Sequence, residues 1–278
     1  MRIIPFLLAL LLSVNLNAQS FDTTSYKLTN LIYKETSEAN LSMDIYYPKE
    51  ATGEKLPAVV FFFGGGWVYG NRQHFAAQSK YFASKGIIAI APDYRIMSKH
   101  GTHPRVAVSD ARSAMRYIKL HADELGIDTT QLAAAGGSAG GHLALCTALP
   151  LTEESTETID PAPDALILFN PVVNTTAVGY GAEKMDEDSL RLSPYHQLTA
   201  ELPPTLIFHG TGDTTVPVQN VYDLVAKMEE IGLEPQLHTY EGHQHGFFNL
   251  NRNDGKYFYE TLKETEKFLM SMGFLDKN

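Results

Sequence analysis

The sequence predicts an α/β fold, with a mostly parallel central sheet and helices on both faces. Three observations carry this reading. Short apolar runs bounded by glycine or proline recur along the chain: LPAVVFFFGG, KGIIAIAPDY, QLAAAGG, DALILFNP and PPTLIFHG. Apolar runs of about four to eight residues suit strands buried on both faces. Helix-length segments lie between most of them, as parallel strands require. Near the N-terminus, LTNLIYKE and LSMDIYYP have no helix between them, so they are expected to form an antiparallel hairpin at one edge.

The elements follow in order. The opening MRIIPFLLALLLSVNLNAQS has one basic residue, an apolar run from Ile3 to Val14 and a small residue at Ala18. Residues 1–18 read as a secretory signal peptide, which implies export to the periplasm or beyond. The apolar run is too short to span a bilayer, and no cysteine follows the cut to carry a lipid, so no membrane anchor is expected. Residues 19–278 read as a single domain, without repeat or linker. Helices are expected over Arg105–Leu125, Val218–Ile231 and Tyr257–Met272, where apolar residues fall near helical spacing. PQLHTYEGHQHG is a weaker, alternating strand. Val172–Pro203 has no clean strand and concentrates acidic residues in GAEKMDEDSL. It reads either as a substrate-side lid or as a solvated surface loop.

Composition narrows the function. The 278 residues are 44% hydrophobic, with a net charge of −10. No Lys/Arg cluster stands out, which argues against nucleic acid and anionic membranes as partners. Cys146 is the single cysteine, so no internal disulfide forms, and it reads as a buried helix residue.

The chemistry centres on AAAGGSAGGHLAL, Ala133 to Leu145. The strand QLAAAGG meets the helix AGGHLALCTAL at Ser138, and Gly136, Ser138 and Gly140 spell G-x-S-x-G. A sharp strand-to-helix turn exposes the serine oxygen, and small neighbours let the backbone pass itself. The helix N-terminus beyond offers free N–H groups to a developing oxyanion. No G-K-[ST] follows, which disfavours a phosphate-binding loop. VVFFFGGGWVYG places Gly64, Gly65 and Gly66 directly after another strand, where a second oxyanion donor is needed. LIFHGTGDTTVP presents Asp213 after a strand, and YEGHQHGFFN presents His245 after the last. The order Ser, Asp, His, each beyond a strand, puts all three on the carboxyl edge of the sheet.

These residues resemble the α/β-hydrolase superfamily over nearly all of the mature chain. GGGWVYG, PDYR, GGSAGGHLAL and HGFF are similar to the hormone-sensitive-lipase-like and feruloyl-esterase-like branch. With GYG at Gly179–Gly181 added, they resemble exported bacterial carbohydrate esterases, often acetyl xylan esterases. The resemblance implies a triad of Ser138, Asp213 and His245, and oxyanion donors from Ala139 and from Gly65 or Gly66. It implies a serine carboxylesterase acting on short-acyl esters, acetyl above all, on plant polysaccharide or oligosaccharide, with no metal and no cofactor. A feruloyl esterase, a lipase-like carboxylesterase and an amidase or peptidase of the same fold are the alternatives. The lipase-like branch usually has histidine where this chain has Phe63.

Other candidates compete at each position. His243 lies two residues from His245, which is preferred because the family pattern is His-Gly-Phe and the glycine permits a tight turn. Asp93 and Asp110 are expected to pair with Arg95 or Arg112. His142 and His209 read as packed histidines. Trp67 and Tyr180 are the candidate substrate-binding residues, with Tyr69, Phe247 and Phe248 as further aromatics near the site. Ser138→Ala is expected to abolish esterase activity in a folded protein, with phosphonate labelling of Ser138 lost. Activity within about tenfold of the parent would remove the assignment.

Overall fold

The computed structural model describes residues 25–50, 54–151 and 158–276, so the expected signal peptide lies outside the described residues. The strands are β1 (Tyr26–Glu35), β2 (Asn40–Pro48), β3 (Leu56–Phe62), β4 (Ile88–Pro92), β5 (Ile127–Gly137), β6 (Ala165–Phe169), β7 (Thr205–Gly210) and β8 (Gln236–Tyr240). They form one sheet in the order β1-β2-β4-β3-β5-β6-β7-β8. β2 runs antiparallel to β1 and β4, and every pair from β4 to β8 is parallel. The expected hairpin therefore lies at one edge, where the connection is too short for a crossover.

Among the described residues five longer helices cover the sheet: α1 (Ala76–Ser84), α2 (Pro104–Leu120), α3 (Ala139–Ala148), α4 (Val218–Glu230) and α5 (Lys256–Ser271). The period-two alternation of the strands assigns side chains to two cores. Ala58, Val60 and Phe62 of β3 meet α2, α3 and α4 on one face. Val59 and Phe61 of the same strand meet Phe82 of α1 and Phe258, Leu262 and Leu269 of α5 on the other. With both faces covered, a strand needs no polar face, which is why the strand sequences read as continuous apolar runs.

Two expectations change. The helix read over Arg105–Leu125 stops at Leu120, and a separate turn, Ala122–Leu125, follows a non-helical His121. The break lets both Ala122 and Leu125 reach the first core. The segment 172–203 contains short helical turns and no strand. It is not a solvated loop, since Val172, Val173, Met185, Leu192 and Leu202 are buried in the first core. Its buried Asp188 is paired with Arg191 at 2.7 Å and lies 3.6 Å from Arg105 and 3.8 Å from His103, at the start of α2.

The competing aspartates are structural. Asp110 is fully buried and accepts from Lys34 Nζ at 2.8 Å and from Arg95 Nε and a terminal nitrogen at 2.8 and 2.7 Å. Asp93 pairs with Arg72, not with Arg95 or Arg112. Arg112 instead donates to the carbonyls of Cys146 and Leu149. Asp110→Ala removes the shared acceptor of the half-buried Lys34 and Arg95 and is expected to destabilise by about 1.5–3 kcal/mol. Denaturant titration checks this, with activity per folded molecule unchanged.

Candidate active site

The site is built where β5 stops. Ser138 has φ 56° and ψ −122°, a conformation that costs a non-glycine residue about 1–3 kcal/mol. The turn is held from three sides. The Ser138 N–H donates to the Phe169 carbonyl at 2.9 Å, and the Ser138 carbonyl accepts from His142 and Val172, each at 3.1 Å. The neighbouring glycines are there for close approach. A Cβ on Gly136 would lie 2.3 Å from the Gly140 oxygen, and one on Gly140 would lie 2.1 Å from the Phe62 oxygen. Ala139 then opens α3, so its N–H is among those a helix cannot satisfy internally.

The glycine loop meets this turn directly. A Cβ on Gly64 would lie 2.9 Å from the Gly137 oxygen and 3.4 Å from the Ser138 Cβ. Gly65, at φ 127°, closes the loop by accepting from Val68 and Tyr69 N–H groups at 3.0 Å. Among the hydrogen bonds of the described residues, no backbone carbonyl takes the N–H of Gly65 or Gly66. Phe63 is anchored from PDYR. Tyr94 donates its hydroxyl to the Phe63 carbonyl at 2.7 Å and stacks on its ring at a centroid distance of 3.9 Å.

Asp213 and His245 meet across the ends of β7 and β8. His245 Nδ1 lies 2.6 Å from Asp213 Oδ2. The other carboxylate oxygen accepts from the Thr215 and Val216 N–H groups, each at 2.9 Å. Burial alone would raise the Asp213 carboxyl, but hydrogen bonds from His209 and His245 and from the Val216 N–H hold it well below the usual carboxylate range. Its ionised form therefore contributes stability above the ordinary carboxylate value, and that contribution is lost only as pH falls through the depressed one. An ionised Asp213 accepts a hydrogen bond from Nδ1–H, which fixes the tautomer that leaves Nε2 with its lone pair. Gly246 at φ 75° turns the chain sharply after His245.

Ser138 and His245 line a cleft of about 390 Å³ together with Gly65, Gly66, Tyr180 and Phe248. The arrangement offers a nucleophile, a base held by a carboxylate, and N–H donors converging beside the nucleophile, as acyl transfer requires.

The comparisons with known proteins agree with this chemistry. The BD-FAE family model matches residues 43–166, and the dienelactone hydrolase family model matches residues 165–273. A solved structure of Thermogutta terrifontis esterase 2, phosphorylated by paraoxon, is 38% identical, with a TM-score of 0.84 over 92% of this chain and 97% of that one. The chain belongs to the α/β-hydrolase esterases. Other structures of the Thermogutta enzyme, again 38% identical, hold propionate or butyrate, with TM-scores of 0.83 over 92% of this chain and 98% of each. Esterase LipC of Mycobacterium tuberculosis is 27% identical over 213 residues, 68% of this chain and 52% of that protein. The chain spans about half the length of the curated relatives it matches.

In this esterase Tyr180 lines the cleft, but Trp67 does not. Trp67 is 1% exposed, with its ring edge-on to His142 at 5.0 Å and tilted against Tyr180 at 6.0 Å. Its left-handed backbone, φ 60°, turns the side chain under the loop. It is a core residue that supports Tyr180, and the reading of Trp67 as a substrate contact is corrected. Phe247 is likewise buried in the second core. His142 is buried and donates to the Leu192 carbonyl at 2.7 Å, and burial lowers its imidazole to about 4.

Five cleft-lining residues escaped the sequence reading, Thr215 and Asn249 beside His245 among them. Phe75 and His74 enter the cleft from the stretch before α1, with no motif to mark them. Asn170, directly after β6, also lines the cleft, and its position in DALILFNP was the one available signal. His209 does more than pack, since its Nε2 lies 3.4 Å from Asp213 Oδ2 while donating to the Val216 carbonyl at 2.9 Å. His243 is turned away, with its ring against Tyr257 at a centroid distance of 4.0 Å. His245→Ala is expected to lower turnover by several orders of magnitude and His243→Ala by less than about a hundredfold. Steady-state kinetics of the two variants would expose a reversed ranking.

Proposed function

We propose that this esterase hydrolyses short-acyl carboxylic esters through an acyl-enzyme on Ser138. The Ser138 oxygen attacks the ester carbonyl while His245 Nε2 takes its proton. The N–H groups of Ala139 and of the Gly65–Gly66 loop receive the oxyanion. The imidazolium, steadied by Asp213, gives the proton to the departing alkoxide, and water repeats the cycle on the acyl group.

The observation that carries the short-acyl reading is the aromatic wall beside the nucleophile. A Cβ on Gly137 would lie 3.0 Å from the tip of the Phe248 ring and 3.3 Å from that of Phe75. These rings stack on one another at 6.1 Å and are nearly buried. An acyl chain leaving Ser138 on that side meets them after a few carbons. The propionate and butyrate held by the Thermogutta esterase are acyl groups of this size.

We further propose acetyl groups on plant polysaccharide, met outside the cytoplasm after export, as the substrate. Tyr69, 67% exposed, stands at the rim of the cleft and offers an aromatic face to a sugar ring on the alcohol side. Acetate release from acetylated xylan and other native polymers tests this, and no release from any of them would overturn the polymer reading.

Acyl preference is measured as kcat/KM for p-nitrophenyl esters from acetyl to decanoyl. An open apolar pocket would gain about 0.8 kcal/mol per buried methylene, so it would favour long chains. A maximum at acetyl to butyryl is expected here, and Phe248→Ala should move it to longer chains. A maximum at octanoyl or beyond in the parent enzyme would overturn the short-acyl reading.

A further inference from the structure

We infer that Asn170 is a positioning residue for His245, holding its imidazole in the state that accepts the Ser138 proton. The inference rests on the esterase reading above and adds to it a residue outside the triad.

Its place in the fold is central. β6 lies between β5, which carries the nucleophile, and β7, which leads to Asp213. Asn170 is the first residue past β6. Its N–H donates to the Phe208 carbonyl of β7 at 2.7 Å, while the preceding Phe169 carbonyl receives the Ser138 N–H of the elbow. The side chain is therefore set on the seam between nucleophile and acid.

The position is also costly. Asn170 is 1% exposed and has φ 37°. Left-handed backbone is unfavourable for residues other than glycine, though asparagine tolerates it best. Pro171 follows, and proline disfavours helical conformations in the residue before it. A buried amide in a strained backbone persists where the surroundings over-determine it, often at a functional site.

The orientation of the amide is decided by its partners. The Gly246 N–H can only donate, and it meets Oδ1 at 2.9 Å. Nδ2 is left facing His245 Nε2 at 3.4 Å. Asn170 thus grips the histidine twice, through the backbone just after it and through the ring. With Nδ1–H donating to Asp213, Nε2 carries the lone pair, and an amide N–H directed at it favours that form. Once Nε2 takes the Ser138 proton, two N–H groups face each other. The contact then opposes retention of the proton and favours its passage to the alkoxide oxygen of the leaving alcohol. Around His245 the titratable groups are Asp213, with His209 behind it, and His74 and Tyr180 across the cleft.

The test is Asn170→Asp. This variant keeps the size of the side chain and an acceptor for Gly246, but turns a carboxylate oxygen toward Nε2. A carboxylate there favours the protonated ring, so the acid limb of kcat/KM against pH is expected to move up by about one unit. At neutral pH kcat is expected to fall about tenfold, with KM changed less than about twofold. The added charge would move the limb whatever the native amide does, so Asn170→Ala decides the role: a residue that only latched the loop through Gly246 would leave its limb in place. Asn170→Ala is therefore measured whether or not the aspartate variant folds. It removes the donor without adding charge and should move the limb the same way by about half a unit. A folded variant of either kind whose acid limb coincides with that of the parent overturns the inference. A parent enzyme without esterase activity would count instead against the esterase reading.

Discussion

Gly140 approaches the end of β3 so closely that a methyl group there would lie 2.1 Å from the Phe62 oxygen and 2.4 Å from the Phe63 oxygen. This contact sets the geometry of the whole site. It presses the first turn of α3 onto the strand that feeds the glycine loop, so the two sources of oxyanion donors come from adjoining backbone. It also leaves the chain no relaxed path between β5 and α3, and Ser138 takes up the difference at φ 56°. The strain is borne by a sheet whose central strands are buried on both faces, where rearrangement would expose two cores at once.

The charge arrangement depends on the same rigidity. Asp213 is buried, yet it keeps its charge because two backbone N–H groups and two imidazoles converge on it. A buried carboxylate with fewer donors would be driven toward its neutral form. Each donor is placed by the end of a parallel strand or the turn after it, and parallel strands end together at one edge. The site is polar only along that edge, while the aromatic residues behind it keep the cleft narrow. His142 and Cys146 sit beneath the loop as a neutral, fully buried pair, with burial pushing the thiol up to about 12. They fill space and do no acid–base work near neutral pH.

The segment 172–203 links these parts. Its apolar residues enter the first core, and Asp188 is held by Arg191 and lies near the start of α2. It delivers Tyr180 to the cleft, supported from below by Trp67. A Cβ on Gly181 would lie 2.7 Å from the Trp67 ring, so the glycine there allows the segment to settle on the indole.

The sequence by itself determined the strands, the parallel sheet with its antiparallel edge, and which serine, aspartate and histidine follow strand ends. These are readable because they depend on local facts: apolar runs, glycine spacing and chain order. Direction and contact are not local, and only the tertiary structure decided them. Trp67 follows the glycine loop in sequence, but its left-handed backbone sends it inward, and no spacing rule says so. His209 touches Asp213 because the turn after β7 folds back on its own strand. Phe63 is anchored by Tyr94, 31 positions away in the chain. Asn170 reaches His245 across 75 residues only because β6 lies between β5 and β7. Strand order is a property of the packed sheet, set by how helices cover two faces, and the sequence carries it in no single segment.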